Sequence, residues 1–475
     1  MNKNAEGGLG RLRITTGGSM MKKMKKLLSV IFSIVMIASV SLVNNVDTQA
    51  AVKIKFGKKL TITTGSTDII VVKGKATAKS SSNKIAKVTK VKATKKQSTI
   101  TVKGYKSGKV KITVKVKKSK KKVPVTVNPA KVSEIQGKLE GNTTAALTWT
   151  KAKAATGYEI YRSTNASTGF AKVGTSKTTS FKNTNLALGT GYYFKVRATG
   201  SKSTKGAYSP VAYVKTWKLV WNDEFSGTSL DTSKWNNKGA TGAGGYGNNE
   251  LQNYQMDYCE VKDGSLVIKP TFQWDKSKKK CVANSYYSTK LWTRGSSHLF
   301  TYGKIEFTAK MPKGKGTWAA GWMLGPGGWP DCGEIDVFET TSDPLKQSIP
   351  QTIHCKKYNG MKTSSGPKHF DAKVPTATTA FHTYTAEWTP THISFYIDGK
   401  LNGTYDPSKY TFDPNPTSLD DIWPYKRPFY LIMNCAIGGT LGGNVGPDYW
   451  KLVKTNGNIE TYEDYLYFDS VRVYQ

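Results

Sequence analysis

Cysteine is scarce in this 475-residue chain, with five in all. They are Cys259, Cys281, Cys332, Cys355 and Cys435, and their spacing fits no zinc-binding pattern. Cys259 with Cys281, and Cys332 with Cys355, could face each other; free buried thiols are the other reading, and an odd count leaves one unpaired in any case. Long helical periodicities are also missing, while Gly and Thr are plentiful, which excludes a helical bundle and favours β architecture. Acidic residues are few, 32 against 71 Lys and Arg, for a net charge of +39. An excess of that size suggests a nucleic-acid partner until it is mapped. Residues 51–130 hold 23 lysines, no arginine and a single acid, Asp68, a net of +22. From Lys218 to Gln475 there are 28 basic and 26 acidic residues, a net of +2. The charge therefore belongs to one module, no nucleic-acid partner is expected, and the near-neutral C-terminal region suits an uncharged substrate.

The length predicts several domains. At the start, Met21-Lys-Lys-Met-Lys-Lys26 precedes an apolar run from Leu27 to Val43, broken only by Ser, and then Thr48-Gln-Ala-Ala51. A charged stretch, an apolar stretch and small residues in that order predict a secretory signal over 1–50, cut after Ala50. An uncleaved membrane anchor is the alternative. Residues 1–19 fit no pattern, and translation is expected to start at Met20 or Met21. The mature protein is thus expected to be extracellular, with no membrane span after cleavage.

Residues 51–129 alternate apolar residues with Lys or Thr, as in Val110-Lys-Ile-Thr-Val-Lys-Val116, which predicts short antiparallel strands. This segment resembles bacterial immunoglobulin-like domains. Its lysines read as solvated outer faces, or as a surface for an anionic cell-wall polymer. Residues 130–216 carry Leu147-Thr-Trp149, Tyr158-Glu-Ile-Tyr161 and Tyr192-Tyr-Phe194-Lys-Val196. One early Trp, alternating strands and a Tyr before a Val-x-Ala strand resemble a fibronectin type III domain. The resemblance implies that Trp149 fills the core and Tyr192 makes a corner hydrogen bond. No group there carries chemistry, and the module reads as a spacer.

Eleven of the twelve Trp lie from Trp217 onward. Flat aromatic faces stack on the C–H faces of sugars, although about half of so many belong in a packed core. The centre of this region is Glu334-Ile-Asp-Val-Phe-Glu339. Alternation puts Glu334 and Asp336 on one strand face. Glu339, at an odd spacing, would point the other way unless a bulge at Val337-Phe338 restores it. Three crowded carboxylates raise one another's pKa and hold a shared proton, which points to acid–base chemistry rather than packing. Paired carboxylates flanking a sugar linkage are the apparatus of glycoside hydrolysis.

Glu-x-Asp-x-x-Glu resembles the signature of glycoside hydrolase family 16, in the form seen in its laminarinase branch. Collinear segments extend the resemblance over 217–475: Trp221-Asn-Asp-Glu224-Phe, Gly247-Asn-Asn249-Glu250-Leu-Gln252, Tyr302-Gly-Lys, Trp318 to Leu324, Phe429-Tyr-Leu-Ile, and Asp469-Ser-Val-Arg-Val-Tyr474. The fold it implies is all-β: a C-terminal jelly-roll sandwich of the concanavalin kind, here preceded by two small β-sandwich modules. It implies an endo-acting β-1,3-glucanase with Glu334 as nucleophile, Glu339 as general acid/base and Asp336 between them. Trp318, Trp322 and Trp329 are implied stacking platforms, Asn249 and Glu250 hydroxyl contacts, and His354 a neighbour of the acid/base. No cofactor is implied for catalysis. A structural calcium is implied at Glu224, the Gly264 carbonyl and Asp469. Three departures stand out: Gly321 where Phe is usual, Lys290 where Arg is usual, and Leu441 near a common Trp. They bear on substrate preference, leaving mixed-linkage β-1,3-1,4-glucan and transglycosylation as alternatives, with a non-catalytic glycan-binding adhesin as the alternative of another class.

Overall fold

The computed structural model describes residues 59–237, 242–245, 247–295, 298–341, 348–358, 369–412 and 415–475. The expected signal segment and its cleavage point lie outside the described residues. The chain divides into two compact units at Asn128 and Pro129.

Among the described residues of the first unit, seven strands form two sheets. One has the order Leu60–Thr63, Ser119–Asn128, Gly108–Val116, Ala76–Ser80; the other is Thr67–Lys73, Gln97–Gly104, Ala86–Ala93. Period-two alternation sends Val110, Ile112 and Val114 into a shared core and leaves Lys109, Lys111 and Lys115 exposed. The lysine side chains are an outer face, as their alternation requires.

The second unit opens with the module at 130–216. Thr144–Trp149 pairs with Ile135–Glu140 and Ser180–Asn183, facing a second sheet built on Gly157–Ser163 and Gly191–Gly200. Trp149 is buried edge-on against Tyr158, with ring centroids 5.3 Å apart. The Tyr192 hydroxyl accepts from the Ala187 amide at 3.0 Å, the corner bond that the sequence implied.

The rest of the unit is a large β-sandwich of jelly-roll type. One sheet has the order Cys259–Lys262, Ser265–Ile268, Leu466–Tyr474, Gly303–Lys310, His382–Trp388, Ile393–Ile397, Lys400–Tyr405. The other runs Lys290–Trp292, Tyr430–Ile437, Thr317–Leu324, Glu334–Glu339, Ser348–His354, Phe370–Lys373. Tyr430–Ile437 lies second in this order, between Lys290–Trp292 and Thr317–Leu324, and every one of its residues is buried. Phe307, Phe338, Tyr384 and Phe468 meet between the sheets, with the Phe338 and Tyr384 rings 4.8 Å apart. Before the last strand comes a hairpin, Lys451–Asn456 with Ile459–Glu463, and it adds to Thr271–Asp275. Six of the eleven Trp in this region are buried: Trp221, Trp235, Trp292, Trp388, Trp423 and Trp450.

The cysteines form no disulfide; all five are free. Each sulfur has its own separate neighbourhood: Cys259 donates to the Met256 carbonyl at 3.3 Å, Cys281 approaches the Val445 carbonyl at 3.7 Å, and Cys355 lies 4.0 Å from the Tyr405 hydroxyl. Burial pushes the thiols of Cys259, Cys332 and Cys355 up to about 11, so they stay protonated.

Candidate active site

The acidic strand Glu334–Glu339 lies between Thr317–Leu324 and Ser348–His354. Its pairing with the former runs Glu334 to Leu324, Ile335 to Met323 and Asp336 to Trp322, then resumes with Phe338 to Gly321 and Glu339 to Ala320. Val337 has no partner in this ladder, which makes it the extra residue of a β-bulge. Ile335, Val337 and Phe338 all enter the core. Two consecutive inward residues reset the alternation, so Glu339 returns to the face of Glu334 and Asp336.

Gly321 explains one departure from the family pattern. A Cβ built there would come within 2.4 Å of the Phe338 ring. The bulged strand supplies the aromatic bulk from its own side, and the facing residue must be glycine to admit it.

Each carboxylate has a distinct environment. Trp329 Nε1 donates to Glu334 Oε2. Asp336 is 2 % exposed, and its Oδ2 lies 3.1 Å from His354 Nε2. Burial, then the charge and hydrogen bond of Glu334, hold Asp336 well above the usual carboxylate range. Glu339 accepts from Trp318 Nε1 at 3.0 Å. Burial pushes Glu339 up to about 8, with the charge of Asp336 adding and His354 and the Trp318 N–H opposing. The strand thus presents a carboxyl that keeps its proton at neutral pH, on the same face as Glu334, with a second raised acid between them.

The other expected site residues fall in place unequally. Trp318 and Trp322 share the cleft face of Thr317–Leu324, and Trp322 Nε1 donates to Asn434 Oδ1 at 2.7 Å. Trp329 is 53 % exposed and lies 5.7 Å from the His354 ring. His354 is the register partner of Glu334. These four belong together with the carboxylates. Glu250 is buried and accepts from the Asn248 amide at 3.1 Å, so it holds its own turn. Asn249 provides that turn with its left-handed φ of 61°.

Lys290, read from sequence only as a departure, reaches the same cleft. Its Nζ sits over the rings of Trp292 and Trp322, at 5.3 and 5.0 Å from their centroids. Burial lowers it to about 8, while the charges of Glu334 and Glu250 pull the other way. Asn434 and Tyr254, joined at 2.9 Å, also support Trp322, and no sequence signal singles them out.

The three positions implied for calcium offer oxygen donors, which suits that ion, and Gly264 turns through φ 74°. Glu224, however, already accepts from Arg472 on both carboxylate oxygens, one of them at 2.8 Å from Nε. A cation at this position would share a carboxylate that is already neutralised.

Two family models match parts of this chain. The family described as glycosyl hydrolases family 16 matches residues 265–428, and the fibronectin type III domain matches residues 130–215. A β-glucanase from Rhodothermus marinus is 36% identical over 270 residues, covering 54% of this chain and 85% of that one. Glucan endo-1,3-beta-glucosidase A1 from Niallia circulans is 34% identical over 54% of this chain and 38% of its own length. Among solved structures, the laminarinase from Rhodothermus marinus is 35% identical over 55% of this chain and 97% of that one, with a TM-score of 0.44. With more than a third of positions identical across most of the first of these relatives, and the acidic strand intact, the chain belongs to family 16 of the glycosyl hydrolases.

Proposed function

We propose that this protein is a secreted, endo-acting β-1,3-glucanase that cleaves laminarin-type linkages with retention of configuration. The observation that carries the reading is the bulged strand, which puts Glu334 and a protonated Glu339 on one face around Asp336. The Glu334 carboxylate attacks the anomeric carbon as the bond to the leaving oxygen breaks, and Glu339 gives that oxygen its proton. Glu339 then takes a proton from water, whose oxygen attacks the same carbon and releases Glu334. Asp336 ties the two ionisations together, so the proton belongs to the set rather than to one residue. Trp318 orients Glu339, and Trp329 orients Glu334. Trp322 and Trp329 are the platforms for the sugar rings.

A neutral glucan fits the near-neutral C-terminal module, and the Niallia circulans relative is named for endo-1,3 cleavage. A structural calcium at Glu224, Gly264 and Asp469 belongs to the same proposal, supported by their oxygen donors alone. So does an anionic cell-wall polymer as the partner of the lysine faces at 51–129. The deciding experiment measures reducing-sugar release from laminarin, lichenan, xyloglucan and agarose by the unmodified chain and by Glu334→Gln. Release from laminarin above the others, lost in Glu334→Gln with oligosaccharide binding retained, is the expected outcome. An active Glu334→Gln enzyme would remove Glu334 from its role. Glucan binding without turnover by the unmodified chain would favour the adhesin.

A further inference from the structure

Away from the acidic strand, a cleft of about 1110 Å³ opens against the outer face of the other large sheet. Its floor is the outward row of two neighbouring strands. Lys304, Glu306, Thr385 and Glu387 face it, while Ile305, Phe307, Tyr384 and Ala386 point into the core. One wall comes from the fibronectin type III domain, where the rings of Tyr193 and Tyr213 lie 4.9 Å apart. Tyr213 is 49% exposed, and Trp217 lines the join.

The two modules meet closely beside the cleft. Lys218 and Gln475 exchange amide–carbonyl bonds at 2.9 Å in both directions, and Gly189 of the fibronectin type III domain packs against that pair, where a Cβ would come within 3.2 Å of the Gln475 carbonyl oxygen.

The lining identifies its ligand by chemistry. Exposed aromatic faces suit the C–H faces of sugar rings, and carboxylates, hydroxyls and ammonium groups suit sugar hydroxyls. Glu387 is held by Tyr396, which donates to it at 3.2 Å. Three lysines, Lys138, Lys215 and Lys304, balance Glu306, Glu387 and Asp398, so the lining favours neither an anion nor a cation. We propose that this cleft is a second glycan-binding site, holding a neutral β-glucan chain apart from the catalytic cleft. The inference rests on the reading that this enzyme acts on β-glucan.

The test uses the full chain and Tyr213→Ala, with Tyr213→Phe as the conservative variant. Hydrolysis of insoluble β-1,3-glucan is compared with kcat/KM on a short soluble β-1,3-oligosaccharide. Loss of one aromatic contact predicts a fall of about two- to tenfold on the insoluble polymer. The short substrate should be cleaved as before, and Tyr213→Phe should restore the rate on the polymer. Equal rates on both substrates, or an equal fall on both, would overturn the proposal. So would weakened retention on an anionic cell-wall polymer but not on glucan. If the unmodified chain cleaved no β-glucan at all, the functional reading would fail, and this inference with it.

Discussion

Glu339 should make the stability of this enzyme depend on pH in a direction unusual for a carboxylate. Its folded-state pKa of about 8 stands above the ordinary 4.5. Between those values the folded chain holds a proton that the unfolded chain has released. Stability is therefore fully present below pH 4.5, falls as pH rises, and levels off above 8. The gap of about 3.5 units, at about 1.4 kcal/mol per unit, corresponds to about 5 kcal/mol. Asp336, whose carboxyl is also held high, shares part of that cost, so a single substitution should recover about 3 kcal/mol or more. Glutamine has the shape of glutamic acid and never ionises. Glu339→Gln should match the unmodified chain near pH 4.5 and exceed it by that margin at pH 9. Urea unfolding followed by tryptophan fluorescence reads the right module, because eleven of the twelve Trp lie in it. A difference between variant and parent that stays flat from pH 4.5 to 9 would refute the assignment of a protonated Glu339 at neutral pH.

Trp318→Phe removes the N–H that holds Glu339 down, so the alkaline limb of kcat/KM should move upward by about half a unit to one unit; a limb that stays in place would show that the bond tunes nothing. A chelator should lower the melting temperature if calcium is held at Glu224, Gly264 and Asp469, by the equivalent of about 2.7 kcal/mol when calcium stands at a hundred times its Kd. An unchanged melting temperature would leave Glu224 to Arg472 and Asn222. Adsorption to an anionic cell-wall polymer should weaken as the screening length falls from about 10 Å at 0.1 M salt to about 3 Å at 1 M; salt-independent adsorption would rule out the lysine faces as its cause.

The acidic strand was legible because charge and period two say the same thing about Glu334 and Asp336. The bulge was legible because Glu339 breaks that period, and only an extra residue repairs it. Tyr192 and Trp149 were legible through a family pattern that fixes their places. What escaped depends on partners distant in sequence. Gly321 looks like a loss of bulk until the Phe338 ring is seen to fill the space from the next strand. Lys290 gains its meaning from Trp322, two strands away in the sheet and 32 residues on in the chain, which closes over it with Trp292 of its own strand. The cysteines could be counted but not paired, because pairing depends on where sulfurs point. The cleft beside Tyr213 could not be read at all, since its floor and wall come from modules that each look complete alone.

Val337 has one more consequence. It is the residue the neighbouring strand skips, so the strand could lose it and still alternate correctly: Asp336 outward, Phe338 inward, Glu339 outward. What would change is the bend and twist that an extra residue imposes on its strand. The carboxylates hold the chemistry of the site, while a buried valine with no chemistry of its own governs how sharply the strand curves beneath the substrate. Reactivity therefore depends on a residue that takes no part in it, because the bend at Val337 sets how the arms of Glu334 and Glu339 lean toward each other.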